Sequence, residues 1–328
     1  GFRQDSSAGT HVVVEVSSHA LELNRVDDVE FDHAVFTNLF QDHLDFHKTM
    51  EKYLTAKTKL FSMLPPGGKA ILNADDERFG DVKAVTTAAV VSYSMEGRST
   101  VHFKTWGLSH SGITGTLQAG EEEITVNSPL LGLHNLENIL SAVAAAWTLE
   151  IPKEAIEQGI EACKTVPGRA ERLAAGNGAT VVIDYAHTPD AYHKLFSSLK
   201  HLLPPRGRLW IIFGCGGDRD RGKRPLMAGA AEEYGDVIFV TPDNPRWESV
   251  DEINGDIEAG FRKKTHTFYS NRARAIYDAV NQLDPDDILA IVGKGRENYQ
   301  IVGGERIFHS DLQAVEKAIS GGTAGDAN

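Results

Sequence analysis

Carboxylates, imidazoles and amides gather in this sequence just after short apolar runs. Glu15-Val16-Ser17-Ser18-His19 follows HVVVEV, and Asn38 to His47, including Asp42-His43-Leu44-Asp45-Phe46-His47, follows AVFTNL. Asp184-Tyr185-Ala186-His187, Gly214-Cys215-Gly216-Gly217-Asp218-Arg219, Asp243-Asn244-Pro245-Arg246 and Gly293-Lys294-Gly295 follow four more. Ligands of open α/β sheets bind beyond the carboxyl ends of the strands. Six such clusters in register predict one site shared between two domains, and an enzyme.

Lys57 is the residue most out of place. On a helix of about 100° per residue, Leu54, Leu60, Phe61 and Leu64 form with Tyr53 an apolar arc about 120° wide, and Lys57 falls inside it at about 40°. Lys52 and Lys59 fall on the opposite face. Lys57 either snorkels, burying its stem and exposing its ammonium, or is buried with a depressed pKa. A neutral amine adds carbon dioxide to become a carbamate, an oxygen ligand for a hard cation. The neighbouring Asp42–His47 stretch reads as a solvated loop or, with Glu15, as a magnesium site; no Cys/His spacing of the zinc type accompanies it.

Asn135 and Asn138, three apart at the start of an alanine-rich helix, share one side of its first turn. They are either ligand-binding amides or, for Asn135, an N-cap. No G-x-x-x-x-G-K-[ST] occurs, and Gly214-Cys215-Gly216-Gly217 lacks the dinucleotide spacing. Arg219, Arg221, Lys223 and Arg224 crowd a loop with Asp218 and Asp220 after a glycine turn, which favours anion capture by guanidinium forks. Asp243-Asn244-Pro245-Arg246 adds an acid, an amide and an arginine. Arginine for a carboxylate and acid for an ammonium suit an amino acid.

The elements that position these groups read as two α/β segments. In the first, strands are expected at His11–Val16, Ala34–Leu39, Lys69–Leu72 and Val90–Tyr93, with a helix over Thr49–Leu64. Residues 100–127, with Gly112, Gly115 and Gly120, predict antiparallel strands, and a helix runs from His134 to Leu149. Thr165-Val166-Pro167-Gly168 has the composition of a linker, dividing the chain into 1–164 and 165–328. Beyond it, strands at Thr180–Ile183, Arg208–Phe213, Asp236–Thr241 and Asp287–Val292 alternate with helices at Asp190–Leu203, Lys223–Tyr234, Val250–Arg262 and Arg272–Leu283. That alternation implies a parallel sheet. The tail 321–328 is expected to be disordered.

Composition bounds the classes. The 328 residues suit about two domains. The net charge of −13 argues against sequence-independent nucleic-acid binding and anionic-membrane binding. Cys163 and Cys215, the only cysteines, cannot build a disulfide framework, which makes a reducing cytoplasm the expected compartment. No run approaches the roughly 18 apolar residues of a membrane span.

Together the motifs resemble those of the Mur ligases. They are EVSSHAL at Glu15–Leu21, FTNLFQDHLDFH at Phe36–His47, YLTAKTKLF at Tyr53–Phe61 and GLHNLENILSA at Gly132–Ala142. VPGRAERL at Val166–Leu173, DYAHTPDA at Asp184–Ala191, GCGGDRDRGKRPLM at Gly214–Met227 and DNPRWE at Asp243–Glu248 continue them. The resemblance implies an α/β chain with a partial P-loop-type central ATPase domain followed by a Rossmann-like C-terminal domain. It implies ATP-dependent addition of meso-diaminopimelate to UDP-N-acetylmuramoyl-L-alanyl-D-glutamate in peptidoglycan synthesis, hence in cell-wall growth, shape and division. The partners are these small molecules, and the expected state is a monomer.

By the same resemblance Glu15, His43 and a carbamylated Lys57 hold Mg2+, and Asn135, Asn138, Arg169 and Asp184 contact ATP. Ser17 and Arg25 hold the UDP-sugar peptide, and Lys57, His187 and Arg169 serve catalysis. Arg219, Asn244 and Arg246 take the distal carboxylate end of diaminopimelate, with Asp243, Gly293 and Glu297 completing that pocket. DNPR is the diaminopimelate form; lysine-adding relatives lose the arginine. One departure is Arg296, where the usual GKGHE has histidine. A start at Gly1 leads to the expectation that a P-loop and a UDP-binding domain lie upstream, and that this chain alone is inactive. A lysine-adding ligase, another Mur-fold ligase such as a folyl-polyglutamate synthase, and a non-catalytic scaffold are the alternatives.

Overall fold

Strings of consecutive apolar residues need cover on both faces, and in this chain they become the interiors of two sheets. The computed structural model describes residues 11–97, 99–109, 111–263 and 266–321. The first body contains α1 (Ser18–Glu22), β1 (His33–Phe36), α2 (Leu44–His47), α3 (Met50–Ser62), β2 (Lys69–Asn73), α4 (Phe79–Val85) and β3 (Ala89–Ser94). It continues with β4 (Val101–Ser109), β5 (Gly112–Ala119), β6 (Glu122–Ser128), α5 (Leu133–Thr148) and α6 (Lys153–Ala162). Its sheet runs β1-β2-β3-β4-β5-β6, parallel as far as β4 and antiparallel beyond. Successive side chains of a strand point to opposite faces. Thus Ala70 and Leu72 pack with Tyr53 and Phe61 of α3, while Ile71 packs with Leu136, Ile139 and Leu140 of α5.

The second body holds β7 (Glu171–Ala174), β8 (Thr180–Asp184), α7 (Pro189–Leu202), β9 (Leu209–Phe213), α8 (Lys223–Tyr234), β10 (Val237–Val240) and α9 (Val250–Glu258). After these come β11 (His266–Phe268), α10 (Arg272–Val280), β12 (Ile288–Val292), a β13–β14 hairpin (Tyr299–Val302, Glu305–Phe308) and α11 (Asp311–Ile319). The sheet order is β11-β10-β9-β12-β8-β7, parallel except for β7. Ile211 and Ala290 face α7, α8 and α9, whereas Ile212, Leu289 and Ile291 face α10 and α11. The late return of β12 between β8 and β9 makes a topological switch point. The loops after β8, β9, β10 and β12 open on that side.

Two expected elements change. His11–Val16 forms no strand; Val13 is 98% exposed and Val12 and Val14 are also exposed. An apolar β-branched run suits a strand, but pairing needs a neighbour, and among the described residues β1 has only β2 beside it. The 165–168 segment is a tight turn rather than a loose linker. Arg169 N–H donates to the Val166 carbonyl, and a Cβ on Gly168 would fall 2.7 Å from the Arg296 nitrogen. Expected strand Ala34–Leu39 stops at Phe36, and the helices expected to reach Arg262 and Leu283 stop at Glu258 and Val280. Residues 322–328 of the tail lie outside the described residues.

Candidate active site

The loops after β8, β9, β10 and β12 meet the loop after β1 around a cavity of about 180 Å³. It is lined by His43, His187, Arg219, Asp243, Asn244, Arg246, Gly293 and Glu297 among the expected residues, joined by Asp42, Tyr185 and Lys223. Glycine is needed where backbones crowd. Gly293 has φ +111°, and a Cβ there would lie 2.7 Å from Oδ2 of Asp243. A Cβ on Gly216 would lie 2.9 Å from Nη1 of Arg246 and 3.6 Å from Cγ of Arg219, so both arginines cross bare backbone.

One wall is cationic. Arg246 takes the left-handed conformation, φ +55°, and donates from Nη1 to the Gly217 carbonyl at 2.7 Å. Burial and the neighbouring Arg219 both weaken the hold of its guanidinium on its proton. Two like charges converging on a cavity form a receptor for an anion. Arg219 also approaches Asp45 at 3.7 Å, linking this wall to the first body. A second part of the lining is acidic, with Asp243 and Glu297 around Asn244. Asn244 donates from Nδ2 to Oε2 of Glu297 at 3.1 Å, and its Oδ1 accepts from Lys294 Nζ at 3.2 Å and from the Ile301 N–H at 3.0 Å.

A third group crosses from the first body. Asp42 lies 3.1 Å from Nε2 of His187 and 3.5 Å from Nζ of Lys223. Burial alone would raise its pKa, but the His187 hydrogen bond and the Lys223 and His43 charges hold the carboxyl well below its ordinary range. His187 Nδ1 meets the Tyr185 carbonyl at 2.9 Å, so both ring nitrogens face acceptors. His43 sits at φ +57° before α2, and burial lowers its pKa, favouring neutral imidazole.

Lys57 lies in α3 outside the cavity lining. It is half-buried, with Nζ 3.4 Å from the Asn38 carbonyl and 5.5 Å from the Tyr53 ring centre. Tyr53 also receives the His43 ring edge-on at 6.0 Å, so Lys57 and His43 flank one aromatic ring. Burial lowers the Lys57 pKa; Asp76, Asp42 and Glu15 oppose that shift. Glu15 itself is exposed. Among the described residues no three His, Cys, Asp and Glu side chains are grouped to hold a metal ion. The donor set expected for one, a carboxylate, a neutral imidazole and a carbamylated amine, depends on chemistry at Lys57.

The remaining expected residues stand apart from the cavity. Asn135 is not an N-cap: Gly132 occupies that position, and Asn135 lies inside the first turn of α5. Its Nδ2 donates to the Leu131 carbonyl at 2.7 Å, and Asn138 donates to its Oδ1 at 3.0 Å, leaving Asn138 exposed at the end of an amide ladder. Both oxygens of buried Asp184 accept backbone N–H groups, from Ala170 at 2.5 Å and Ala186 at 2.6 Å. Asp184 thereby shapes the turn that presents Arg169, whose guanidinium lies 4.9 Å from the Tyr185 ring centre. Ser17 caps α1 by accepting from Ala20 N–H, and Arg25 is exposed beyond it. Arg296 turns away from Glu297 and pairs with buried Glu171 through both Nε and Nη2.

The sequence places Asp42 in a stretch read as a loop or a magnesium site and Lys223 in a basic run suited to anions, and it points to neither their mutual contact nor any role for Lys294. Each adjoins a residue singled out there: Asp42 precedes His43, Lys223 lies within the basic run after the glycine turn, and Lys294 separates Gly293 from Gly295. The signal was therefore adjacency, which does not reveal that Lys294 is fully buried.

Residues 2–146 match the Mur ligase middle domain, and residues 168–295 match the Mur ligase glutamate ligase domain. The chain is 42% identical over 314 residues to the UDP-N-acetylmuramoyl-L-alanyl-D-glutamate–2,6-diaminopimelate ligase of Trichormus variabilis, covering 94% of this chain and 63% of that protein. It is 40% identical over 315 residues to the ligase of the same name from Bacillus cereus, covering 94% and 64%. A solved structure bearing that ligase name aligns with TM-score 0.59 and 34% identity over 93% of this chain and 63% of the other. The MurF ligase of Thermotoga maritima in complex with ADP aligns at TM-score 0.69 over 90% and 64%, with 18% identity, a likeness of fold. The chain thus spans a little under two thirds of the length of these relatives.

Proposed function

The chain belongs to the Mur ligase family, with a middle and a glutamate ligase domain, and we propose that it serves the ATP-dependent addition of meso-diaminopimelate to UDP-N-acetylmuramoyl-L-alanyl-D-glutamate. The observation that carries this reading is the two-walled cavity. Arg219 and Arg246 line it together with Asp243, Asn244 and Glu297, and Asp42 and His187 bound it from the seam between the bodies. A diamino diacid has a distal carboxylate for the first wall and a distal ammonium for the second. Lysine has no distal carboxylate to set against the arginines.

In the proposed reaction the γ-phosphoryl group of ATP passes to the D-glutamate side-chain carboxylate, releasing ADP and leaving an acyl phosphate. The amine of diaminopimelate attacks the acyl carbon, loses a proton, and the tetrahedral adduct collapses to the amide with loss of phosphate. Little of this requires covalent participation by the protein. Alignment of amine and carbonyl and stabilisation of developing charge supply most of the acceleration. Clamping the amino acid's far end between two walls fixes where its near amine stands. His187, held by Asp42 and the Tyr185 carbonyl, stands beside that amine as the group that orders the reacting end. Arg169, displayed on the Asp184-shaped turn, is proposed to meet the nucleotide, with Asn135 and Asn138 beneath it. Ser17 and Arg25 are assigned to the UDP-sugar peptide.

Glu15, His43 and Lys57 are the residues that would hold Mg2+. The desolvated amine of Lys57 is suited to adding carbon dioxide with loss of a proton, and neutral His43 shares the Tyr53 ring with it. Magnesium would neutralise phosphate charge there. We further propose that the chain works as a monomer in the cytoplasm and divides near residue 164. Among the described residues, no helix is long and apolar enough to cross a membrane.

Amino-acid-dependent ADP release by the full-length protein, given ATP, magnesium and the UDP-dipeptide, tests the reading. meso-Diaminopimelate should outperform lysine by orders of magnitude. Preference for lysine, or no incorporation of either, would overturn it.

A further inference from the structure

Lys294 is a lysine with no solvent exposure at all. A buried charge persists only where partners replace its water. Its Nζ lies 3.0 Å from Oε2 of Glu297, 3.2 Å from Oδ1 of Asn244 and 3.9 Å from Oδ1 of Asp243. The Tyr299 ring lies beneath it, 5.7 Å away at its centre. All three polar partners line the cavity; Lys294 does not.

These contacts determine what the acidic wall shows to a ligand. An asparagine amide can point either way, and the choice is fixed by its neighbours. Lys294 and the Ile301 N–H both demand an acceptor, so Oδ1 of Asn244 turns towards them and Nδ2 turns towards Glu297. Two donors, Lys294 and Asn244, then land on the same oxygen of Glu297, and neither uses Oε1. One ammonium set against the carboxylates of Asp243 and Glu297 leaves a single net negative charge on this wall.

We infer that Lys294 is a positioning residue for substrate selection: it orients Asn244 and Glu297 so that the wall presents one fixed carboxylate oxygen to the distal ammonium of the incoming amino acid. The inference rests on the proposed diaminopimelate subsite and adds to it the residue that sets its polarity. Lys294 touches no substrate; it acts through Glu297 and Asn244.

The test is the ratio of kcat/KM for meso-diaminopimelate to that for 2-aminopimelate, which lacks the distal amine. In the full-length protein Lys294→Met should reduce this ratio by roughly 10-fold or more, because a site built to bond an ammonium rejects the analogue lacking it only while its acceptor is in place. KM for ATP should move far less than KM for diaminopimelate. In a Glu297→Gln background the Lys294 substitution should add little to the loss of discrimination. Lys294→Gln keeps hydrogen-bonding atoms in the same space and serves if the Met variant does not fold; its ratio should also fall. An unchanged or increased ratio in the variant that folds overturns the inference, as does a full additional effect in the Glu297→Gln background. Wild-type protein that fails to use diaminopimelate would instead overturn the functional reading.

Discussion

Oδ2 of Asp42 lies 3.1 Å from Nε2 of His187, joining the loop after β1 of the first sheet to the loop after β8 of the second. Lys223 closes on the same carboxylate at 3.5 Å, so one charge of the first body holds two cationic or protonatable groups of the second. Asp42→Asn retains the shape and removes the charge that orders both. It is expected to lower kcat/KM by about 10- to 100-fold, mainly through misalignment of the reacting groups. Steady-state kinetics with each substrate varied would check this; values within twofold of wild type would contradict it.

Lys57 gives a chemical prediction. Burial lowers its pKa, so more neutral amine is present at any given pH than for an exposed lysine, and carbamate formation should grow as pH rises through that pKa. With 13C-bicarbonate, the protein should show a carbamate carbon resonance that Lys57→Ala lacks. Turnover by the alanine variant should fall by at least about 100-fold if the carbamate helps to hold the metal. An identical spectrum from the two proteins would remove the carbamate.

Most of the scaffold and half of the site were legible because their signals are local. The buried runs LWIIF and ILAIV admit little but central strands, and Thr49 with the apolar arc of α3 marks a capped helix. Alternation then puts the four loops at one sheet end, which is why Arg219, Asp243, Asn244, Arg246, Gly293 and Glu297 line one cavity. What needs a partner from elsewhere was not legible. HVVVEV has a strand's composition but, among the described residues, no paired neighbour. The β13–β14 hairpin follows a polar stretch with no apolar alternation and is held by Arg246, which pairs its backbone with Ile301 and Gly303. The burial of Lys294 depends on loops about 50 residues apart in sequence.

Arg246 anchors the cationic wall through backbone pairing as well as charge. Arg246→Ala should raise KM for diaminopimelate by roughly 100-fold, the effect of losing a charged contact in a confined site, while KM for ATP changes little. Arg246→Lys should restore only part of this, because an ammonium lacks the planar fork that bonds Gly217 and a carboxylate together. Isothermal titration and initial-rate kinetics measure it, and an unchanged affinity would exclude the assigned wall.

Arg296 occupies a position where the family motif has histidine, and its guanidinium forks onto Glu171. Glu171 also accepts the Gly168 N–H at 2.9 Å, so the pair staples the turn carrying Arg169 to the loop after β12. Arg296 is 43% exposed, and solvent screening reduces its contribution to about 1 kcal/mol. Arg296→Ala should therefore lower Tm by only about 2–4 °C yet raise KM for ATP several-fold, since the turn it secures presents Arg169, the residue proposed to meet the nucleotide. Arg296→His should recover most of the ATP effect. A rise confined to KM for diaminopimelate would assign Arg296 to the amino-acid subsite instead.

Glu248, five residues beyond Asp243, is one source of pH-dependent stability. Arg224, fully buried, donates to both its oxygens at 2.7 and 2.6 Å, and the Asp218 N–H adds a third bond at 3.0 Å. The Arg224 bonds, opposed by burial, bring its pKa from 4.5 down to about 2. A carboxyl whose folded pKa is depressed contributes stability that is fully present above its unfolded pKa and disappears as pH falls through the folded one. Stability should therefore hold above about pH 5 and fall between 4.5 and 2. Glu248→Gln leaves buried Arg224 with Asp256 as its remaining carboxylate, and should cost about 3 kcal/mol at neutral pH. Denaturant titrations at a series of pH values would show the gap between wild type and variant narrowing steadily towards pH 2. A gap that stays constant across that range would mean that the carboxylate charge contributes nothing and that only the loop's packing matters.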